Sequence, residues 1–249
     1  MLKAERQQII LNEVRRHNRV LLPDMADLVN VSVDTVRRDI KELHRDKKLQ
    51  KVHGGAISLG FHNYHFQVNE IYSKDKKSGI AEKAITLLRD GQVILFTGGT
   101  TNMELARLLP VNLKLTCFTP SLPVANQLLT KPNVEIIFIG GQISKDAQIT
   151  IGGSAINMLS EISVDLCFLG SHSIDLTHGL TEFDWEIVQL KKAMIKASRR
   201  VVVPVISEKL NTIQRYKICD IDDVDTLITE LNPQNSLLDF YQNKGFNIL

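Results

Sequence analysis

The sequence predicts an α/β protein: an N-terminal winged helix-turn-helix followed by a larger, mostly parallel α/β sheet domain. Residues 1–58 combine helix-period apolar patterns with a short hairpin signal around a Gly-Gly pair. From residue 75 onward, short apolar runs typical of buried strands alternate with helical stretches, which favours parallel strands covered on both faces. Hydrophobic residues make up 43% of the 249 residues and charged residues 23%, so both parts can bury a core.

The first part predicts helix, short strand, helix, helix and hairpin, in that order. A helix is expected over residues 3–17 and a short strand over 20–22. A second helix begins at Pro23, with proline in its first turn, and ends at Asn30, which tolerates a left-handed exit. Ser32 can cap a third helix through its hydroxyl. One face of that helix carries a buried stripe at i, i+4 and i+7: Val36, Ile40 and Leu43.

The charge distribution points to a polyanionic partner for the N-terminal part only. Residues 1–60 hold twelve Lys and Arg against eight Asp and Glu, a net charge of +4, whereas the remainder holds eighteen against twenty, a net of −2. Short polar and basic side chains at the start of a helix suit the DNA major groove. The predicted DNA-contacting residues are Ser32, Val33, Thr35, Arg37, Arg38 and Lys41 on the helix and Lys48, Lys51 and His53 in the hairpin.

Two of these assignments have alternatives. Arg37 and Arg38 stand beside Asp34 and Asp39, so they can be ordinary surface charges. His53 precedes the Gly-Gly pair and can equally serve only to shape the turn.

The larger part predicts alternating helices and strands. We expect helices over 75–88, about 102–109, 122–129, 153–161 and 185–198, and strands over 92–96, 113–118, 134–139, 164–169, 200–206 and 226–228. Trp185 and Met194 are expected in the core. The predicted domains are residues 1–58 and 74–249, joined by a linker over 59–73.

The loop Thr97-Gly-Gly-Thr-Thr101 joins a strand to a helix start. Glycines allow close approach of an anion, and the hydroxyls, free N–H groups and helix dipole suit a phosphate. The loop matches neither the P-loop nor the dinucleotide-binding pattern, so ATP and NAD are disfavoured and we expect no cofactor. The cysteines Cys117, Cys167 and Cys219 have no metal-ligand spacing, which disfavours a metal site or disulfides and suits a cytoplasmic protein. No apolar run approaches the roughly 20 residues of a membrane helix, so no membrane partner is expected.

Two regions resemble a known family. Val31–Leu43 followed by Lys51–Ala56 resembles the DNA-binding signature of the DeoR/GlpR family of bacterial transcriptional regulators. The segments that look like the family's effector domain are Lys77–Ala81, Thr97–Thr101, Ile139–Gly141, Asp165–Gly170 and Lys191–Ile195. That domain is similar in fold to ribose-5-phosphate isomerase and the CoA transferases, and in the family it usually senses a phosphorylated sugar.

The resemblance implies a sequence-specific DNA-binding regulator and not an enzyme. It implies a repressor of carbohydrate catabolism genes that binds double-stranded operator DNA. A homo-oligomer, a dimer or a tetramer, is expected because helix-turn-helix proteins usually read paired half-sites as symmetric assemblies. A phosphorylated sugar in the C-terminal domain would modulate operator affinity. The implied effector-binding residues are Lys77, Gly98, Gly99, Thr100, Thr101, Ser121, Gly141, Gly152, Asp175, Glu186 and Lys191.

The sequence departs from the family at three places near the expected ligand. Thr97 and Ile206 stand where the family commonly has aspartate, and Pro120 stands where it has asparagine. Two alternatives stay open. One is a regulator that no longer binds a ligand. The other is a sugar-phosphate isomerase-like enzyme with a basic appendage, for which Asp165, Asp175 and Glu186 supply carboxylates.

Overall fold

The structure is a computed structural model that describes residues 1–17, 19–58, 73–242 and 244–249. The predicted linker, residues 59–73, lies outside the described residues except for Ser73. Within the described ranges, none of the helices has the length and apolar character needed to cross a membrane.

The N-terminal part packs three helices against a small antiparallel sheet. Its elements are α1 (Lys3–His17), β1 (Arg19–Leu21), α2 (Leu22–Leu28), α3 (Val33–Arg45), β2 (Gln50–Val52) and β3 (Gly55–Ile57), with strand order β1-β3-β2. Asn30 takes a left-handed φ of 51° between α2 and α3, as its residue type predicts. One hydrophobic cluster joins all three helices, and the predicted stripe Val36, Ile40 and Leu43 lies at its centre.

The hairpin and β1 approach each other so closely that one position requires glycine. β2 and β3 are joined by the two-residue turn His53-Gly54, in which Gly54 has φ +78°. A Cβ on Gly55 would lie 1.9 Å from the backbone oxygen of Val20 in β1. The Gly-Gly pair therefore shapes the turn and allows the third strand to join the sheet.

The larger part is a three-layer α/β structure. Its helices are α4 (Lys74–Ile85), α5 (Thr100–Leu108), α6 (Leu122–Leu128), α7 (Gly153–Ser160), α8 (Trp185–Lys196) and α9 (Asp239–Gln242). Its strands are β4 (Val93–Phe96), β5 (Leu115–Thr119), β6 (Val134–Phe138), β7 (Gln142–Ser144), β8 (Ile149–Ile151), β9 (Leu166–Phe168), β10 (Ser173–Asp175), β11 (Gly179–Glu182), β12 (Val201–Pro204), β13 (Tyr216–Cys219), β14 (Thr226–Ile228) and β15 (Asn247–Ile248). A 3-10 turn, Ser207–Lys209, follows β12.

The central sheet has seven strands in the order β15-β14-β12-β9-β4-β5-β6, and every pairing in it is parallel. Alternate residues of β4 separate to its two faces. Ile94 and Phe96 pack in a cluster with α4, α5 and α6, whereas Leu95 packs in a second cluster with α7 and α8. The predicted fold class is confirmed.

Three details differ from the sequence prediction. Trp185 is 54% exposed, so its placement in the core was wrong; it begins α8 and packs edge-on against Tyr216, with ring centroids 5.5 Å apart. Met194, by contrast, is fully buried. Helix α5 begins at Thr100, two residues earlier than expected. The sequence also missed strands β7, β8, β10, β11, β13 and β15, because runs of two to four residues carry too little periodicity to detect.

Candidate functional site

A buried ion pair fixes the orientation of α3. The Arg6 guanidinium on α1 donates to the Asp39 carboxylate on α3 through Nε and, at 3.1 Å, through Nη2. The Arg6 side chain is 11% exposed and that of Asp39 is 3% exposed. Asp39 therefore lies inside the domain rather than on its surface.

The outer face of α3 presents the residues predicted to contact DNA. The Ser32 hydroxyl caps the helix by accepting from the Thr35 N–H. Arg38 and Lys41 are exposed and have no ion-pair partner among the described residues, whereas Arg37 pairs with Asp34 one turn earlier. Two free cations beside a capped helix start are chemically suited to phosphates and guanine edges.

The residues predicted to contact DNA are all exposed or half-buried. On α3 the exposed members are Ser32, Arg37, Arg38 and Lys41, and the half-buried ones are Val33 and Thr35. Val33 packs at the edge of the N-terminal core. In the hairpin and the turn before it, Lys48, Lys51 and His53 are all exposed.

The second candidate site is a cavity at the carboxyl ends of β4 and β9, with a volume of about 70 Å³. It is lined by Lys77, Thr97, Gly98, Gly99, Thr100, Thr101, Asn102, Ala147, Ile149, Gly170, Ser171, His172, Ile187, Leu190, Lys191, Met194, Pro204, Ile206 and Lys209. The carboxyl edge of a parallel sheet is the usual ligand site of open α/β folds. The volume is that of several water molecules, which fits a small ligand group.

The loop before α5 is held by side chain to backbone hydrogen bonds. The Thr97 hydroxyl oxygen accepts from the Gly170 N–H at 2.7 Å and from the Asn102 amide at 2.9 Å. Asn102 also donates to the carbonyl of Phe168 at 2.8 Å, at the end of β9. Thr97, which departs from the family pattern, thus joins two loops that line the cavity.

Gly98 and Gly99 are needed where α5 begins. A Cβ on Gly98 would lie 2.7 Å from the Ile149 side chain, and Gly99 takes a φ of +106° at the N-cap. The first N–H groups of α5 have no partner within the helix, so the helix end provides donors for an anion. The hydroxyl groups of Thr100 and Thr101 lie at the same end of the helix, on the cavity wall.

Three lysines from distant parts of the chain meet in this cavity. Lys77 comes from α4, Lys191 from α8 and Lys209 from the 3-10 turn after β12. Burial, together with the charge of Lys209, lowers the pKa of Lys77 to about 7. Burial likewise lowers the pKa of Lys209 to about 8. The Lys209 ammonium donates to the carbonyl of Ser171 at 2.9 Å.

Glu182 is a fully buried carboxylate behind the cavity wall. Its carboxylate accepts a hydrogen bond from the Lys191 ammonium at 2.6 Å and another from the Phe183 N–H at 3.0 Å. The carboxylate also lies 2.9 Å from Nδ1 of His172. Burial opposes its ionisation, but His172 and Lys191 keep its pKa well below the usual range. Burial lowers the pKa of His172. Glu182 is therefore an ionised carboxylate that holds the side chains of Lys191 and His172 in place.

The predicted effector residues divide into two groups. The cavity brings together Lys77, Gly98, Gly99, Thr100, Thr101 and Lys191. Five others lie outside its lining: Ser121, Gly141, Gly152, Asp175 and Glu186. Ser121 caps α6, Asp175 accepts from Thr177 and His178 in its own turn, and Glu186 is exposed in the first turn of α8.

Sequence reasoning missed several residues of this cavity. His172, Asn102 and Lys209 in the lining, and Glu182 behind it, were not singled out as site residues. Lys209 had a usable signal, because it lies three residues after Ile206, where the sequence departs from the family pattern. Glu182 had none, since its strand β11 was itself not predicted. Within the described ranges, no cluster of three or more His, Cys, Asp or Glu side chains could hold a metal ion.

Together, the exposed basic helix and the cationic cavity define a class of protein: a DNA-binding regulator with a ligand-sensing α/β domain. Family models agree for both parts. The DeoR-like helix-turn-helix domain matches residues 6–60, and the DeoR C terminal sensor domain matches residues 73–231, more than half of the chain. The chain belongs to the DeoR family of transcriptional regulators.

Individual relatives agree with this assignment. The chain is 28% identical to the HTH-type transcriptional regulator GolR of Listeria innocua, over 100% of this chain and 98% of that protein. It is also 28% identical to the HTH-type transcriptional repressor GlcR of Bacillus subtilis, over 100% of this chain and 96% of that protein. Among solved structures, it resembles ribose-5-phosphate isomerase A of Methanocaldococcus jannaschii, with 20% identity, a TM-score of 0.40 and coverage of 55% of this chain and 54% of that one.

Proposed function

We propose that this regulator is a repressor of carbohydrate catabolism genes whose operator affinity is modulated by a phosphorylated sugar. The observation that carries the proposal is the convergence of three buried or half-buried lysines on the N-terminus of α5 in one cavity. The proposal includes domains at 1–58 and 74–249 with a linker between them, a homo-oligomer and a location in the cytoplasm, where a bacterial operator lies.

The DNA-binding half of the proposal rests on α3. Ser32, Thr35 and the first turn are suited to phosphates, and Arg38 and Lys41 are free to reach base edges or backbone. The exposed hairpin lysines, Lys48 and Lys51, suit the neighbouring DNA backbone. A helix-turn-helix reads paired half-sites as a symmetric assembly, which supports the homo-oligomer.

The effector half rests on the chemistry of the cavity. Lysines and free helix N–H groups bind phosphate, and the hydroxyls of Thr100 and Thr101 supply further hydrogen bonds. The lining also contains apolar side chains, among them Ile149, Ile187 and Ile206. Phosphate at the α5 end with a short sugar chain against these apolar side chains is the arrangement that these groups support.

The isomerase alternative, as the sequence offers it, depends on a carboxylate base, and none of the described residues that line this cavity is an aspartate or a glutamate. A general base works best when its pKa lies near the working pH. Glu182, the carboxylate directly behind the wall, is held ionised by its two partners. Asp165 accepts from the Val93 N–H, and Asp175 and Glu186 lie outside the lining. The alternative of a regulator that no longer binds a ligand is disfavoured because placing three lysines around one cavity costs desolvation free energy, which a bound anion would offset.

The test measures fluorescence anisotropy of full-length protein on its own upstream DNA and on scrambled DNA. We expect Arg38→Ala to weaken specific binding by about 1–3 kcal/mol if it reads a base. The matched control is Arg45→Ala, an exposed arginine in the last turn of the same helix. Equal binding of both DNA sequences by the wild-type protein would refute sequence-specific regulation by this chain at that site.

A sugar-phosphate panel in the same assay tests the effector half. One compound is expected to change the affinity for upstream DNA. Lys209→Met should abolish the response while leaving DNA affinity unchanged, and Lys192→Met, a half-buried lysine of α8 outside the cavity, should keep the response. A response that survives in Lys209→Met would contradict the assignment of this cavity, and turnover of ribose 5-phosphate by the purified protein would support the isomerase instead.

A further inference from the structure

We propose that Asn102 accepts a hydrogen bond from a hydroxyl group of the ligand, so that the cavity selects compounds that carry a hydroxyl close to their anionic group. This inference rests on the proposed effector site and adds a specificity-determining residue to it. Asn102 is the third residue of α5, lines the cavity and is 1% exposed.

The side-chain amide of Asn102 is held in one orientation by two backbone carbonyl groups. Its nitrogen lies 2.8 Å from the carbonyl oxygen of Phe168 and 3.3 Å from that of Thr97. Carbonyl oxygens only accept hydrogen bonds, so the nitrogen of the amide, and not its oxygen, must face them. The Thr97 hydroxyl oxygen lies 2.9 Å from the same nitrogen. Oδ1 of Asn102 is therefore fixed on the side of the amide that faces away from these two carbonyl groups.

Oδ1 of Asn102 is a buried acceptor without a donor. In the part of the chain that the structure describes, three buried side-chain atoms lack a hydrogen-bond partner, and Oδ1 of Asn102 is the one that belongs to the cavity lining. A buried acceptor without a partner loses the hydrogen bonds that it makes to water in the unfolded chain, and a group that donates to it recovers them. An acceptor of this kind in the wall of a ligand cavity indicates a donor on the ligand.

The anionic part of the ligand cannot be this donor. The lysine ammonium groups and the first N–H groups of α5 all donate, which suits a phosphate, but a phosphate dianion only accepts. A cationic donor on the ligand is also disfavoured, because three lysines line the cavity. The donor that remains is a neutral hydroxyl on the carbon skeleton of the ligand.

The position of Asn102 in α5 indicates where on the ligand this hydroxyl lies. Asn102 follows Thr100, the first residue of the helix, by two residues, which is about 3 Å along the helix axis. A short reach of this kind suits a hydroxyl on the second carbon of a phosphate ester whose phosphate is bound at the start of the helix. A hydroxyl at the far end of a long chain does not suit it.

The test compares two small probes, 2-hydroxyethyl phosphate and 2-fluoroethyl phosphate, by ligand-observed NMR titration of the full-length protein. The two compounds are similar in size and carry the same phosphate, but fluorine cannot donate a hydrogen bond. We expect the wild-type protein to bind the hydroxyl compound about fivefold or more tightly, because the fluorinated one leaves the buried acceptor unpaired.

Two variants separate a contact with the ligand from a structural role of Asn102. Asn102→Ala removes the acceptor, so the ratio of the two affinities should fall to about one. Thr97→Val is the matched control, because it loosens the same two loops but keeps Oδ1 and both carbonyl groups that orient the amide. Thr97→Val should weaken both probes alike and keep the wild-type ratio. The wild-type ratio itself needs no variant and decides the inference where Asn102→Ala fails to fold.

Equal binding of the two probes by the wild-type protein, an unchanged ratio in Asn102→Ala, or no binding of either probe at millimolar concentrations would each overturn the inference. Equal binding would leave the effector half of the proposed function intact, because the cavity would still hold the phosphate. A preference for the hydroxyl compound that Asn102→Ala abolishes, together with an operator affinity that no sugar phosphate changes, would support the inference and refute the effector role.

Discussion

Breaking the buried pair between Arg6 and Asp39 should loosen α3 far more than breaking an exposed pair on the same two helices. Arg6→Met removes the cation and leaves the Asp39 carboxylate 3% exposed, without either of its two hydrogen bonds from the guanidinium. Leaving one member of a buried ion pair without its partner costs about 3–5 kcal/mol. We take about 3 kcal/mol, because Arg6 retains some exposure.

The assay is hydrogen exchange of the full-length protein, followed by mass spectrometry of peptides from residues 33–45. A loss of about 3 kcal/mol in the opening free energy of α3 speeds its amide exchange by roughly a hundredfold. The double variant Arg6→Met/Asp39→Leu replaces both charges by apolar groups and should recover most of the protection.

The control is Lys3→Met, which removes the ion pair of Lys3 with Glu42 between the same helices. Lys3 is 57% exposed in that pair, and surface pairs contribute little, so exchange in α3 should stay at the wild-type rate. A change below tenfold in Arg6→Met, or a double variant that exchanges as fast as the single one, would refute the view that this pair fixes the helix.

Three further predictions follow from single contacts. Gly55→Ala places a Cβ 1.9 Å from the oxygen of Val20, so we expect the hairpin to detach from β1 and DNA affinity to fall at least tenfold, measured by anisotropy. Thr97→Val leaves the N–H of Gly170 without its acceptor and should lower the unfolding free energy by about 1–3 kcal/mol in urea denaturation. The pKa of Lys77 is about 7 in the folded protein and 10.5 in the unfolded chain, so between these pH values the unfolded chain binds more protons at Lys77. The unfolding free energy of the wild-type protein should therefore rise with pH, by up to a few kcal/mol relative to Lys77→Met, as thermal melts of both proteins at each pH would measure.

The N-terminal part could be predicted nearly completely because its signals are local. A capping serine, the stripe Val36, Ile40 and Leu43, and the Gly-Gly pair each determine structure within a few residues. The role of Asp39 could not be predicted this way. Its partner Arg6 lies 33 residues away on α1, and nothing within α3 distinguishes a buried aspartate from an exposed one.

In the larger part, the alternation of strands and helices predicted the sheet, but not which side chains meet at its edge. The loop Thr97–Thr101 was recognised because its glycines and threonines are contiguous. Lys77, Lys191 and Lys209 are each one lysine on an otherwise ordinary segment, and only the order of strands β12, β9 and β4 brings their segments together. Glu182 could not be predicted either, because its strand β11 is only four residues long and was itself not predicted.

The departures from the family pattern take on a different meaning once the cavity is known. In the sequence, Thr97 and Ile206 indicated a possible loss of ligand binding, because each stands where a carboxylate is common in the family. Both residues line the cavity and are 2% exposed, so a carboxylate at either place would lie close to the lysines and offset their charge. Without them, the described residues that line the cavity include Lys77, Lys191 and Lys209 but no carboxylate, and the Thr97 hydroxyl joins the two loops that line the cavity. The substitutions therefore strengthen the case for a strongly anionic ligand, and they weaken the case for one recognised chiefly by carboxylates that accept hydrogen bonds from its hydroxyl groups.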